Sequence, residues 1–167
     1  MIQSVKGDIT KIVDVDAIVN AANMTLLGGG GVDGAIHRAA GKGLFWECVK
    51  LHGCKTGEAK ITKGFKLPCA YVIHTVGPVW HGGKKRENEL LATCYRNSLE
   101  VAKENGIRRI AFPSISTGMF HYPIDKAADV AIATVKTFLK ENPGVFDTVK
   151  FVLFDDPTFE EYKKRLI

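Results

Sequence analysis

A run of four glycines, Gly28 to Gly31, is the stretch of this sequence whose residue types point most directly to ligand chemistry. The run follows a short apolar strand pattern, Ala17–Val19, and precedes a helical pattern that includes Asp33. A glycine loop that leads into a helix N-terminus exposes backbone N–H groups, and the helix dipole adds partial positive charge there. The spacing therefore predicts a phosphate-binding loop, and the alternative is a flexible connector.

A second loop of small residues, Ser114 to Gly118, follows the apolar run Ile110–Phe112. It offers backbone N–H groups and hydroxyls ahead of another helical pattern, but its serines lack the GxSxG pattern of hydrolases. Two such loops facing each other suit a ligand with two linked phosphates. The common nucleotide motifs do not explain the first loop. Its GxGxxG match at Gly29 lacks the acidic residue expected about twenty positions later, and Gly41-Lys42 lacks the following Ser or Thr.

Polar side chains beside the first loop could hold a sugar or a water molecule. Asp33 is either a helix N-cap alone or a carboxylate that holds hydroxyls or a water beside the phosphates. His37 follows on the same helical face, and we interpret it as a packed structural histidine rather than a dyad partner. Asn20 and Asn23 either bond the backbone of the turn or grip ribose hydroxyls.

Two further residues, Asp8 and Phe154, indicate a place for a nucleobase. Asp8 either caps the turn that follows it or accepts the exocyclic amine of a purine. Phe154 ends an apolar strand pattern and either belongs to the core or stacks on a base, which contributes about 1–3 kcal/mol in single-strand binders. Phe120 and Tyr122 lie in the second loop, where an aromatic side chain would pack against the first loop.

The elements that must position these residues alternate between strand and helix. The patterns predict strands over 2–5, 17–22, 57–62, 70–75, 110–112 and 149–154, and helices over 33–41, 44–51, 85–105, 125–142 and 157–166. This alternation predicts an α/β fold, a three-layer α/β/α sandwich with a largely parallel sheet, as a single domain over residues 1–167. Ligands bind beyond the carboxyl ends of the strands in such folds, so loops 20–33, 114–122 and 154–156 should build the site.

Composition narrows the function classes. The 167 residues are 46% apolar and 25% charged, with no apolar run of membrane-spanning length and no signal-peptide pattern, so we expect a cytoplasmic protein. The four cysteines lack zinc-site spacing and are expected to be reduced and buried, and no metal or cofactor is expected. The net charge of +5 suits an anionic ligand, but the lysines are scattered, which is weak support for nucleic-acid binding.

Several motifs together resemble a known family. They are Gly7-Asp8-Ile9-Thr10, the segment Asp16–Asn23 (DAIVNAAN), the segment Gly28–Gly34 (GGGGVDG), His74–Trp80 (HTVGPVW) and Ser116-Thr117-Gly118. In this order and over nearly the whole chain, they resemble the macro domain, and within it the MacroD-like branch. The resemblance implies an ADP-ribose site in an α/β/α sandwich whose central sheet is mixed.

The resemblance also implies a role for each matching residue. Asp8 would take the adenine amino group, Ile9 would support the ring, and Phe154 would stack on it. The loops Gly28, Gly29, Gly30, Gly31, Val32 and Ser116, Thr117, Gly118, Met119, Phe120 would clamp the diphosphate through backbone N–H groups. Asn23 would hold the distal ribose with Asn20 in support, Phe120 would orient that ribose, and Asp33 is the residue most implicated in hydrolysis.

The activity that the resemblance implies is metal-independent hydrolysis of ADP-ribose esters. Members of this branch are similar to enzymes that remove mono-ADP-ribose from acidic protein side chains and deacetylate O-acetyl-ADP-ribose. The partners would be ADP-ribosylated proteins, with the chain itself a monomer. A non-catalytic ADP-ribose reader is the first alternative, and a nucleic-acid-binding module is the second. One residue departs from the family pattern: His121 stands where the family often has glycine, so a left-handed backbone there would be strained.

Overall fold

The computed structural model describes all residues from Met1 to Ile167 and contains a six-stranded sheet with helices on both faces. The strands are β1 (Ile2–Lys6), β2 (Ala17–Ala21), β3 (Ala59–Lys63), β4 (Tyr71–Thr75), β5 (Arg109–Phe112) and β6 (Thr148–Leu153). The helices are α1 (Gly31–Ala40), α2 (Lys42–Val49), α3 (Glu87–Glu104), α4 (Ile124–Glu141) and α5 (Asp156–Arg165). Every predicted strand and helix is present, with ends shifted by at most two residues. A 3-10 helix at Ile9–Lys11 was not predicted.

The sheet is mixed and largely parallel, as the resemblance implied. Its strand order is β1-β6-β5-β2-β4-β3, and only β3 runs antiparallel to its neighbour. The carboxyl ends of the other five strands therefore meet at one edge. Because the loops that follow those strands share this edge, residues far apart in sequence converge there.

Two hydrophobic cores, one on each face of the sheet, join the sheet to the two helical layers. One core of 24 buried residues includes Ala17 and Val19 of β2 together with residues of α3 and α4. The other core, of 16 buried residues, includes Ile18 of β2 together with residues of α1 and α2. Successive side chains of a strand point to opposite faces, so β2 contributes to both cores. It is buried from Ala17 to Asn20, as its apolar pattern predicted, and half-buried at Ala21.

A crevice opens between β2 and β5 at the centre of the sheet. These strands pair only at Ala17 with Ile110 and Ile18 with Ala111, although β2 continues to Ala21. The chain then leaves β2 for α1, on one face, and leaves β5 for α4, on the other. Where the connections of two neighbouring strands leave toward opposite faces in this way, the sheet has a topological switch point, and open α/β sheets bind ligands there.

No helix combines the length with the apolar character that crossing a membrane requires.

Candidate functional site

A cavity of about 660 Å³ lies at this crevice and is lined by loops that follow five different strands, β1, β2, β4, β5 and β6. Its lining includes every predicted site residue except Asn20 and Gly28, namely Asp8, Ile9, Asn23, Gly29, Gly30, Gly31, Val32, Asp33, Ser116, Thr117, Gly118, Met119, Phe120 and Phe154. The three loops named from the sequence therefore do meet around one space. Arg38 of α1 also lines it and was missed, although its position about two helical turns after the glycine loop was a usable signal.

The first loop forms an uncapped helix N-terminus. Gly30 is the N-cap of α1 and supplies no side-chain cap, so the N–H groups of the first turn keep no protein partner. A Cβ at Gly34 would come within 2.3 Å of the Gly29 carbonyl oxygen, so only glycine fits there. The loop is thus tightly built and not a flexible connector.

Asn23 fixes the start of this loop. Its Nδ2 donates to the Gly28 carbonyl oxygen at 2.8 Å, and its Oδ1 accepts from the Leu26 backbone N–H at 3.1 Å. Asn23 therefore bonds the turn backbone, which was one of its two alternative roles, and it also faces the cavity. A side chain placed in this way can shape the loop and still offer an edge of its amide to a ligand.

Asp33 is not the N-cap of α1, contrary to the first of its two sequence interpretations. Gly30 takes that position because its backbone is already extended there, and Asp33 is the third residue of the helix. Its carboxylate is buried, with Oδ1 accepting from Asn20 Nδ2 at 2.9 Å. A Cβ at Gly29 would lie 3.3 Å from Asp33 Oδ2, so the second oxygen faces the glycine loop.

The electrostatics of Asp33 reflect its burial. Loss of solvent raises the pKa of the Asp33 carboxyl above its ordinary value, and the hydrogen bond from Asn20 and the nearby His37 act against that rise. His37 Nε2 lies 3.4 Å from Asp33 Oδ1 but makes no hydrogen bond. His37 does not line the cavity, which is consistent with a packed structural histidine.

Asn20 is placed behind the cavity and not in it. The residue is fully buried, and its Nδ2 contacts both Asp33 Oδ1 at 2.9 Å and His74 Nδ1 at 3.1 Å. Asn20 therefore supports Asp33 from the sheet side. Its side chain is fully buried and does not line the cavity.

Asp8 and Phe154, which follow β1 and β6, also line the cavity. Asp8 caps the 3-10 helix, accepting from the Thr10 N–H at 2.9 Å and the Thr10 hydroxyl at 2.6 Å, and the hydroxyl bond lowers the pKa of the Asp8 carboxyl. Phe154 follows β6 and is 76% exposed, so it is not a core residue. Its exposed ring on the cavity wall leaves stacking as its remaining predicted role.

The second loop meets the first across the cavity. Met119 is exposed, and its Sδ would lie 3.2 Å from a Cβ placed at Gly30. Ser116 has a left-handed backbone with a φ of 69°, and its buried hydroxyl lacks a partner. Gly77 lies against it, since a Cβ there would come within 2.1 Å of Ser116 Oγ. Tyr122 packs on Trp80, with ring centroids 4.7 Å apart, and does not reach the first loop.

Comparison with known proteins agrees with this geometry. The sequence pattern of the macro domain matches residues 19–131. The chain is 59% identical over 166 residues to the macro domain-containing protein CT2219 of Chlorobaculum tepidum, covering 99% of this chain and 95% of that protein. The chain belongs to the macro domain family.

Two other comparisons carry information about ligands and activity in relatives of this macro domain. The ADP-ribose glycohydrolase MACROD2 of Xenopus laevis is 57% identical over 162 residues, which cover 96% of this chain and 38% of that protein. The Trypanosoma brucei macrodomain in complex with ADP-ribose superposes with a TM-score of 0.94 at 44% identity, covering 99% of this chain and 69% of that one. The resemblance to the MacroD-like branch and the predicted fold are confirmed.

One residue of the second loop strains the backbone of this macro domain. His121 has a φ of 60°, and its N–H donates to the Gly118 carbonyl oxygen at 3.0 Å. The left-handed conformation that was suspected from the missing glycine is therefore present. It costs a non-glycine residue about 1–2 kcal/mol, part of which glycine would lose again through backbone entropy.

Replacing His121 with glycine is expected to raise the free energy of unfolding by about 0.5–1 kcal/mol, because glycine adopts this φ without strain. Urea denaturation measures the change. His81→Gly is the matched control, since His81 is also exposed but has no left-handed backbone, and it should give no gain. An unfolding free energy of His121→Gly at or below that of the unchanged protein would contradict the strain.

Proposed function

We propose that this macro domain, a single domain over residues 1–167, binds ADP-ribose and hydrolyses its esters. Mono-ADP-ribose attached to acidic protein side chains and O-acetyl-ADP-ribose are the proposed substrates. The observation that carries the proposal is the buried Asp33 carboxylate, with one oxygen held by Asn20 and the other facing the glycine loop. One relative named as an ADP-ribose glycohydrolase, and the ADP-ribose bound in a solved macrodomain, support it.

The proposed binding roles combine the shape of the cavity with the roles that the family resemblance implies. The uncapped N-terminus of α1 and the backbone of the second loop offer N–H groups to a diphosphate from two sides. Asp8 would accept the adenine amino group, Ile9 would support the ring, and Phe154 would stack on it. The distal ribose would then lie toward Asn23 and Phe120.

The chemistry follows from the position of Asp33. A carboxylate beside two phosphate-binding loops repels the diphosphate, so it serves a hydroxyl or a water. In the proposed reaction a water adds to the ester carbonyl carbon, the bond from that carbon to the ribose oxygen breaks, and the proton lost by the water ends on the released ribose oxygen. Asp33 would position this water and the ribose, while the loop N–H groups stabilise developing negative charge.

The direct test is release of free ADP-ribose from a glutamate-modified protein, with O-acetyl-ADP-ribose assayed alongside. The proposal expects both substrates to be cleaved without added metal. A reader module would bind ADP-ribose and cleave neither, because a reader needs the loops and the base pocket but no carboxylate over the ribose. Absence of ADP-ribose binding in calorimetry would reject both functions.

The base-binding role of Phe154 gives a separate prediction. Phe154→Ala is expected to weaken ADP-ribose binding by about 1–3 kcal/mol, roughly 5- to 150-fold in Kd, because the exposed ring would lose its stack on adenine. Ribose 5-phosphate lacks the base, so its Kd should stay unchanged in the same calorimetric titrations. Phe65→Ala, at a phenylalanine outside the cavity lining, is the control. Equal losses for both ligands would remove the stacking role.

A further inference from the structure

A buried histidine of β4, His74, is left unused by the proposed reaction. The residue has no exposed surface and does not line the cavity. It is the register partner of Asn20 on the neighbouring strand β2, so both side chains lie on the same face of the sheet. Its Nδ1 contacts Asn20 Nδ2 at 3.1 Å, and its Nε2 contacts Thr62 Oγ1 at 2.9 Å and Cys48 Sγ at 3.8 Å.

The hydrogen bonds define the tautomer of His74. The Asn20 NH₂ group donates to the Asp33 carboxylate and can only donate to His74 Nδ1 as well, so Nδ1 accepts. The Thr62 hydroxyl donates to the Lys63 carbonyl oxygen at 3.1 Å and accepts from the ring. His74 Nε2 therefore carries the proton, and Nδ1 is left as an acceptor. Burial lowers the pKa of His74 to about 3, so the ring is neutral and keeps its Nδ1 lone pair at neutral pH.

This acceptor, together with the Asp33 carboxylate, decides which way the Asn20 amide points. The two hydrogens of Asn20 Nδ2 go to His74 Nδ1 and Asp33 Oδ1, and Asn20 Oδ1 is left without a partner. A flipped amide would place Oδ1 against two other acceptors. Because the NH₂ group is directed at Asp33, Asn20 Oδ1 is buried without a hydrogen bond, which destabilises the folded protein.

We propose that His74 is a positioning residue, whose Nε2–H tautomer orients Asn20 so that the Asp33 carboxylate is held in place for the reaction. This inference rests on the proposed function for its effect on turnover. The other titratable groups facing Asp33 are His37 of α1 and Cys48 of α2, whose thiol pKa burial raises to about 12, and Arg38 shares the cavity wall. None of these groups can orient the Asn20 amide.

The test compares three variants. His74→Leu removes the acceptor, His74→Gln can restore one through its side-chain carbonyl, and Val72→Ala makes a core vacancy on the same strand without touching Asn20. His74→Leu is expected to lower kcat about 10- to 100-fold, by analogy with partners that orient metal ligands, while the Kd for ADP-ribose changes less than about threefold. His74→Gln should recover much of kcat, and Val72→Ala should keep it.

The pH profile separates positioning from a general loss of packing. The Asn20 hydrogen bond lowers the pKa of Asp33, so its loss in His74→Leu should move the acid limb of kcat to higher pH. Val72→Ala should leave that limb in place. The inference is overturned if His74→Leu, His74→Gln and Val72→Ala have the same kcat and the same pH dependence of kcat.

Two measurements need no turnover and therefore remain decisive if the proposed hydrolase activity fails. In ¹⁵N NMR of the unchanged protein, His74 should show a protonated Nε2 and a bare Nδ1, and a protonated Nδ1 would overturn the inference. In ¹³C titration, the Asp33 carboxyl should titrate at higher pH in His74→Leu than in Val72→Ala. Coincident titrations would mean that His74 does not act on Asp33.

Discussion

Replacing Asp33 with alanine is expected to slow ADP-ribose ester hydrolysis by about 10²–10⁴-fold while the Kd for ADP-ribose stays within a few-fold of its original value. The carboxylate faces the cavity beside the glycine loop, and in the proposed reaction it would repel the diphosphate and contribute to the reaction more than to binding. Release of ADP-ribose from a glutamate-modified protein measures the rate, and calorimetry measures the affinity.

Asp125→Ala supplies the matched control for this experiment. Asp125 also lies in the first turn of a helix, α4, but it is exposed and outside the cavity. Its replacement should change neither rate nor affinity. If Asp33→Ala instead loses ADP-ribose binding and hydrolyses bound ester at the original rate, Asp33 is a binding residue and the assigned chemistry is wrong.

The second large effect concerns stability at acid pH. The pKa of His74 falls from an ordinary 6.5 to about 3 in the folded protein because the ring is buried. Between these values the unfolded chain binds a proton at His74 and the folded protein does not. The contribution of His74 to stability is therefore complete above pH 6.5 and is lost as pH falls toward 3, with a slope approaching about 1.4 kcal/mol per pH unit.

Urea unfolding at pH 7, 6 and 5 measures this dependence. His74→Gln removes the titrating ring and keeps polar groups that can bond Asn20, so its unfolding free energy should fall less steeply with pH over the same range. Parallel curves for the two proteins would show that His74 does not drive the acid sensitivity. The comparison also cancels the contributions of carboxyl groups that both proteins share.

The loops of the site could be predicted because their signals are local. Glycine runs and small residues after apolar strands mark the places where backbone N–H groups are free, and an alternating α/β pattern brings such loops to one edge. The topology then places Gly28–Gly31 and Ser114–Gly118 opposite each other without any knowledge of packing. Helix and strand ends agreed to within two residues for the same reason.

The partners of Asp33 could not be predicted, because they depend on register between strands. In the sequence, His74 lies within an apolar strand pattern and is indistinguishable from a core histidine. Only the pairing of β2 with β4 places it opposite Asn20. Asp33 was likewise open to a capping interpretation because the extended backbone of Gly30, which takes the cap, leaves no signal in side-chain pattern.

The division of the site between two cores has a consequence for ligand binding. The loop after β2 continues into the α1 and α2 layer, and the loop after β5 continues into the α3 and α4 layer. A diphosphate gripped by both loops ties one layer to the other across the sheet. Saturating nucleotide should therefore slow amide hydrogen exchange in helices on both sides of the molecule, well beyond the residues that it touches.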